Sequence, residues 1–519
     1  MKRLLLSVLL LSPPAFGSDI VQRLTEKEAQ LEQLYAEYWR AEYKNASGDK
    51  QASSLPVQEK IRRLVADEQF LNELAKERFT DPLLRRRQQL WLWEGAHTFI
   101  YTDPELARLT EAMGNHEAEI SYEFAGKKVK RSELNNLIAH EPDRELRRQA
   151  WLARAQNDKA VGARIAQAMK LRKRLAAKYA GGDYVGFMLA RKGVPERKRL
   201  ESIFDDFIAK TEPEYQRLLA RMKRDLKVEK VEPWDVDYFF SSLVGDFEPK
   251  KFPRDDAWPR IKKVALALGY DFDNLPVDTV ITEITFGGGT YPILYNQEIR
   301  ILVNKYEGLR FTDTLFHEAG HALHYSFMAD PTFILKGSSS EPFDEGCGQI
   351  MALLLYRKPI ATRTFGLTDD EFEKMNERYR LRTLLDTRDT IAEARFEYAA
   401  YEDPDQDLAA LYNRFESQVT GFDMHGARVW AFNPFYSTGP IYLQSYAVAE
   451  MAARQIHADL ERRFGPVWGK EAGDYLRRKY FSISGRLTLD EILQQGTGRP
   501  LSARDLINYS NGPVAKPKK

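Results

Sequence analysis

His317-Glu318-Ala319-Gly320-His321 places two imidazoles and a carboxylate within five residues of a chain that holds only 8 histidines. On a helix, residues four apart share one face, about 6 Å apart along the axis. Two imidazoles so placed can converge on one Zn2+, with Glu318 beside them facing the open coordination position as a base for water. His324 lies on nearly the same face. Three ligands along one straight helix span about 10 Å, however, and cannot all reach one ion at ~2 Å, so His324 reads as a packing or supporting residue. A third histidine ten residues after His317 is ruled out, because position 327 is Phe. An acidic ligand from the next helix remains. Ser338-Ser339-Ser340 offers a cap for that helix, which opens with Glu341-Pro342-Phe343-Asp344-Glu345-Gly346. Glu345, 24 residues after His321, and Glu341, one turn earlier, are both candidates. Two neutral histidines and one carboxylate leave a net +1 on the ion and a fourth position for water, which suits hydrolysis better than structural support.

The elements that must hold these residues can be read around them. Thr312 or Asp313 can cap the helix that carries the two histidines. Before it, residues 279–286 are β-branched with near-alternation and run into Gly287-Gly288-Gly289-Thr290-Tyr291-Pro292, and residues 299–303 read as another strand. A small sheet inside a helical protein follows, and glycines at a strand end let another backbone come close. Elsewhere, residues 20–44, 56–78, 81–100, 141–178 and 196–226 are charged, amphipathic and helix-like. Their many charges need no functional explanation, since such helices are solvated on one face and packed on the other.

Composition narrows the classes. The 77 Lys+Arg against 76 Asp+Glu give a net charge of +1, so the whole molecule has no electrostatic reason to seek nucleic acid. The single cysteine, Cys347, excludes an intrachain disulfide and cysteine-rich metal sites. Met1-Lys2-Arg3, an apolar run from Leu4 to Leu11, Pro13-Pro14 and Ala15-Phe16-Gly17 form the pattern of a signal peptide, residues 1–17. No other segment approaches the roughly 20 apolar residues a membrane span needs. The expectation is an exported protein, periplasmic or secreted, with no stable membrane association once the signal is removed.

The motif followed by Glu345-Gly346 resembles the gluzincin peptidases of the angiotensin-converting-enzyme type, and is similar to the related thimet oligopeptidase, oligopeptidase F and carboxypeptidase Taq families. Within that group the spacing favours the converting-enzyme branch, and Glu345 over Glu341 as third ligand. The resemblance extends to Pro440-Ile441-Tyr442-Leu443-Gln444-Ser445-Tyr446 and to Gly496-Thr497-Gly498-Arg499-Pro500-Leu501. It implies a mainly α, two-lobed fold with a deep central cleft and a small sheet beside the motif helix, residues 18–519 forming one catalytic domain. It further implies one Zn2+ on His317, His321 and Glu345, Glu318 as base, and an edge strand at Gly288, Gly289 and Thr290 that binds short peptides. Aligning Tyr442 with the family's carboxylate-binding tyrosine leaves Tyr446 for the oxyanion. Two departures stand out. Where the family has an oxyanion histidine, this chain has Phe435 or Tyr436, and His425 falls too early. Where converting enzymes have a carboxylate-gripping lysine, it has Asn433, which speaks against strict carboxydipeptidase action. The competing reading is a peptide-binding protein on the same fold that turns over weakly.

Overall fold

The computed structural model describes residues 16–512, except residues 50, 155–157, 246, 285 and 337–339. The expected signal peptide therefore lies outside the described residues, apart from Phe16 and Gly17, which open the first helix, Phe16–Ala46. The fold is mainly helical, with two small sheets. Expected helices are present with sharper ends. The stretch 56–78 divides into Leu55–Val65 and Glu68–Lys76, because the Asp67 carboxylate accepts the Phe70 amide at 3.1 Å and starts a new helix. Residues 141–178 likewise form two helices, Arg144–Arg154 and Asp158–Tyr179. A hairpin, Tyr122–Phe124 with Lys127–Val129, was not anticipated. Its turn takes Ala125 and Gly126 to φ +50° and +75°, and two positive φ values in succession suit a tight strand reversal.

Two hydrophobic clusters hold the chain together. The smaller joins the N-terminal helices through Leu24, Leu31, Phe70, Leu74 and Trp91, and the larger runs from Ile100 to Ile507. At the centre of the larger one lies the helix Glu341–Leu355, whose residues from Ile350 to Leu355 are all buried. A helix apolar on every side belongs in the interior.

The site-bearing sheet has three strands, Val277–Thr282, Gly288–Leu294 and Glu298–Asn304. The third is central, parallel to the first and antiparallel to the second, which leaves Gly288–Leu294 at an edge. The first strand ends before the expected residue 286, because the Asn304 side-chain amide takes the carbonyls of Ile284 and Phe286 and pulls that segment out of the ladder. Next comes the helix Gly308–Phe327, which carries the motif. It begins a turn earlier than expected. Gly308, at φ +78°, turns the chain into it, so neither Thr312 nor Asp313 is its cap; Thr312 is buried and returns its hydroxyl to the Gly308 carbonyl at 3.3 Å.

Candidate active site

The motif helix and the helix Glu341–Leu355 cross with almost nothing between them. A Cβ on Gly320 would lie 2.3 Å from the Cys347 carbonyl oxygen, and one on Gly348 would lie 2.6 Å from the His317 ring. These two glycines let the backbones approach closely enough for side chains from both helices to meet. Ser340 starts the second helix, its hydroxyl accepting the Phe343 amide at 3.3 Å; the other two serines of the expected cap lie outside the described residues. His324, fully buried, ties the helices further along, with Nε2 3.2 Å from Asp344 and Nδ1 3.0 Å from the Phe481 carbonyl. It faces away from the site, as three ligands on one straight helix would require.

At the crossing the two imidazoles turn their Nε2 atoms toward each other at 3.0 Å, and Glu345 Oε2 lies 3.5 Å from His317 Nε2. The ligating atoms of His317, His321 and Glu345 all fall within 4.8 Å of one another, the one such group among the described residues. Glu341 is elsewhere. Its carboxylate is held by Lys192 at 2.6 Å and by the Ser445 hydroxyl at 2.9 Å.

The charge balance of this cluster favours a cation. Burial alone would lower His317, but the bonded Glu345, with Glu318 and Asp313 behind it, outweighs that and holds the imidazole up to about 9. His321, buried beside that positive charge, is pushed down to about 3. Glu345, despite burial, is drawn down to about 2 by the histidines and the Tyr442 hydroxyl. Two imidazoles and one carboxylate facing a common point, with one positive charge stabilised among them, match the donor set of a zinc site.

Glu318 packs beside the cluster under the edge strand. A Cβ on Gly288 would meet Glu318 and Thr314 at 3.1–3.2 Å, so this glycine serves the approach of strand to helix. Thr290 donates its hydroxyl to Glu318 Oε2 at 2.8 Å; its side chain orients the carboxylate, while Gly289 lies against Tyr291. Burial raises the Glu318 carboxyl above its ordinary value, toward the neutral range where a base works best.

Across from the cluster, Tyr446 is 41% exposed, and with His317 and Glu345 it lines a cavity of about 220 Å3. Arg382 and Asp386, on the helix Asp369–Glu402, line this cavity and two neighbouring ones of about 590 and 350 Å3, so open space continues along that helix. Tyr442 is closer in, its hydroxyl 2.5 Å from Glu345 Oε1. The departures from the resemblance also find their places. Phe435 stacks on Tyr442 at 4.7 Å, and Tyr436 is buried with its hydroxyl on the Glu393 carbonyl. His425 pairs with Glu232 in a separate cavity, and Asn433 bonds Glu393. Sequence reasoning missed Lys192, Arg382 and Glu397, which reach the site region from distant positions, and the place of Asp313 behind His317, one turn earlier on the motif helix; a lysine ending the apolar helix Tyr184–Arg191 was the one local signal.

Comparison with known proteins bears on the fold that carries this site. Residues 137–244 match the model of peptidase family M3. The crystal structure of the M32 carboxypeptidase from Deinococcus radiodurans R1 superposes with a TM-score of 0.69 at 16% identity, covering 95% of this chain and 98% of that one. No curated protein sequence matches the chain. Neither finding shows the converting-enzyme resemblance that the spacing favoured. What they show is the mainly helical fold of that M32 carboxypeptidase over 95% of the chain, with one segment, residues 137–244, similar to peptidase family M3.

Proposed function

We propose that the protein hydrolyses peptide bonds in short peptides with one zinc ion held by His317, His321 and Glu345. The observation that carries this reading is the convergence of those three donors beside a buried carboxylate, Glu318, with His317 and Glu345 lining an open cavity. Zinc bound there supplies a Lewis acid that lowers the pKa of water and polarises the peptide carbonyl. Glu318, oriented by Thr290, takes a proton from the attacking water and delivers it to the leaving amine. Tyr446 donates a hydrogen bond to the oxyanion. The edge strand Gly288–Leu294 pairs with the substrate backbone, so recognition tolerates many sequences. Residues 18–519 act as one catalytic domain of an exported enzyme. Among the described residues no helix is long and apolar enough to cross a membrane.

The alternative of a weakly catalytic peptide binder rests on the absence of a histidine beside Tyr442 and Tyr446, where Phe435 stands. An intact Glu318, oriented and raised, argues against it, since a binder has no use for a base. Cleavage of a quenched-fluorescent peptide library, with metal content measured on the same sample, separates the readings. Zinc at one equivalent with turnover supports the peptidase. Zinc with peptide binding and no turnover supports the binder, and a metal-free protein overturns both.

A further inference from the structure

The resemblance assigned Tyr442 to the substrate carboxylate, but the surroundings of this residue indicate a different task. Glu345 divides its two oxygens: Oε2 lies 3.5 Å from His317 Nε2, and Oε1 accepts the Tyr442 hydroxyl at 2.5 Å. A tyrosine bonded this closely to a candidate ligand is occupied before any substrate arrives.

The ring itself is tightly held. Phe435 stacks on it nearly parallel, at 9° and 4.7 Å, and the Lys192 ammonium lies 4.6 Å from its centroid. Lys192 is in turn fixed by Glu341, whose second oxygen accepts the Ser445 hydroxyl. The backbone leading into Tyr442 is unusual. Ile441, a β-branched residue, stands at φ +55°, a conformation that costs free energy for such a side chain. It is held there from both sides: its amide donates to the buried Glu397 at 2.9 Å, and its carbonyl accepts from the Gln444 side chain at 2.7 Å. Strained backbone persists where the surroundings over-determine it, and here the strain sets the direction in which Tyr442 leaves the chain.

We infer that Tyr442 is a positioning residue for the third metal ligand: its hydroxyl engages one oxygen of Glu345, so that only the other faces His317 and His321. A carboxylate free to turn could offer both oxygens and fill the position that water needs. The inference rests on the zinc peptidase reading, and it moves Tyr442 from substrate recognition to metal retention. Partners of this kind are worth 10–100-fold in metal affinity.

The test compares the full-length wild type with Tyr442→Phe and Tyr446→Phe, measuring the zinc Kd by chelator competition and then kcat and KM at saturating zinc. Phenylalanine keeps the ring that packs on Phe435 and Lys192, and unfolding temperatures check that the fold is intact. The expected result is a zinc Kd raised about 10–100-fold in Tyr442→Phe, with KM nearly unchanged, and an unaltered zinc Kd in Tyr446→Phe. An unaltered zinc Kd in Tyr442→Phe with a raised KM overturns the inference and returns the residue to the substrate. A wild type that binds no zinc fails earlier, at the reading on which this one rests.

Discussion

His317, His321 and Glu345 come from two helices close in sequence, Gly308–Phe327 and Glu341–Leu355, that meet glycine against backbone. The tyrosines opposite them belong to a segment arranged otherwise. Tyr442 reaches Glu345 across 97 residues, Ile441 reaches Glu397 across 44, and the Lys192 that covers Tyr442 is tied to Glu341 across 149. The ligand cage is therefore made of local helical geometry and close packing. The tyrosine arm is made of long-range polar contacts and one strained residue. Damage to the cage should show as lost metal or lost chemistry, and damage to the arm as altered positioning and altered pH behaviour.

The largest effect is expected inside the cage at the one residue that does not ligate. Glu318→Gln preserves shape and the Thr290 contact but removes the base. Turnover should fall roughly 10³–10⁴-fold with zinc content and peptide binding retained. Substantial activity in a metal-loaded Gln variant would move the base elsewhere.

Next comes the exposed end of the arm. Tyr446→Phe should lower kcat about 10²-fold with little change in KM, the loss expected when one oxyanion donor is removed. A silent Tyr446→Phe beside a kcat loss in a zinc-saturated Tyr442→Phe would exchange the two roles, and the division between cage and arm would need redrawing.

A third substitution attacks the cage through packing alone. Gly348→Ala places a methyl group 2.6 Å from the His317 ring, within a crossing that has no slack. The ring must turn off the axis shared with His321, and the zinc Kd should rise about 10–100-fold, the scale seen when a ligand's support is lost. Gly346, whose Cβ would approach no nearer than 3.8 Å to the Ala449 carbonyl, is the control, and Gly346→Ala should leave zinc binding unchanged. Equal effects at both positions would show that the close crossing is not what orients His317.

This contrast also explains what could be read before the structure. His317, His321, Glu318 and Glu345 were legible because helical spacing is a local rule, and the resemblance supplied the choice of Glu345 over Glu341. The helices and the three-stranded region were legible for the same reason, their periodicity lying within short windows. The start of the motif helix was misplaced, because Gly308 turns the chain one turn before the polar residues that looked like caps. The contact between Tyr442 and Glu345 was not legible, because it is made by packing among distant segments. The Thr290 bond to Glu318 was not legible for a similar reason: the sequence shows a strand and a helix in succession, and the bond exists only once Gly288 lets them close together. Lys192 shows only its place at the end of an apolar helix, and Glu397 carries no local signature of its role.

The smallest expected effect concerns Glu397 and tests the arm's dependence on one buried carboxyl. Its side chain is fully buried, and burial pushes the carboxyl up to about 8, against the counter-pull of the Ile441 amide, Arg172 and Lys192. The folded protein therefore keeps this group protonated at pH values where the unfolded chain, near 4.3, has released it. The sign follows directly: stability from this group is fully present below about pH 4.3 and is lost as pH rises through about 8. Glu397→Gln retains a carbonyl oxygen for the Ile441 amide and has nothing to ionise. Other buried carboxyls, among them Asp389 and Glu393, titrate in both proteins, so the informative quantity is the difference between the two stability curves. Between pH 5.5 and 9 the wild type should lose a few kcal/mol more than the variant, read by denaturant unfolding at each pH. Parallel curves would mean that Glu397 ionises without penalty, and the Ile441 amide would then be held by a carboxylate and not by a neutral acid.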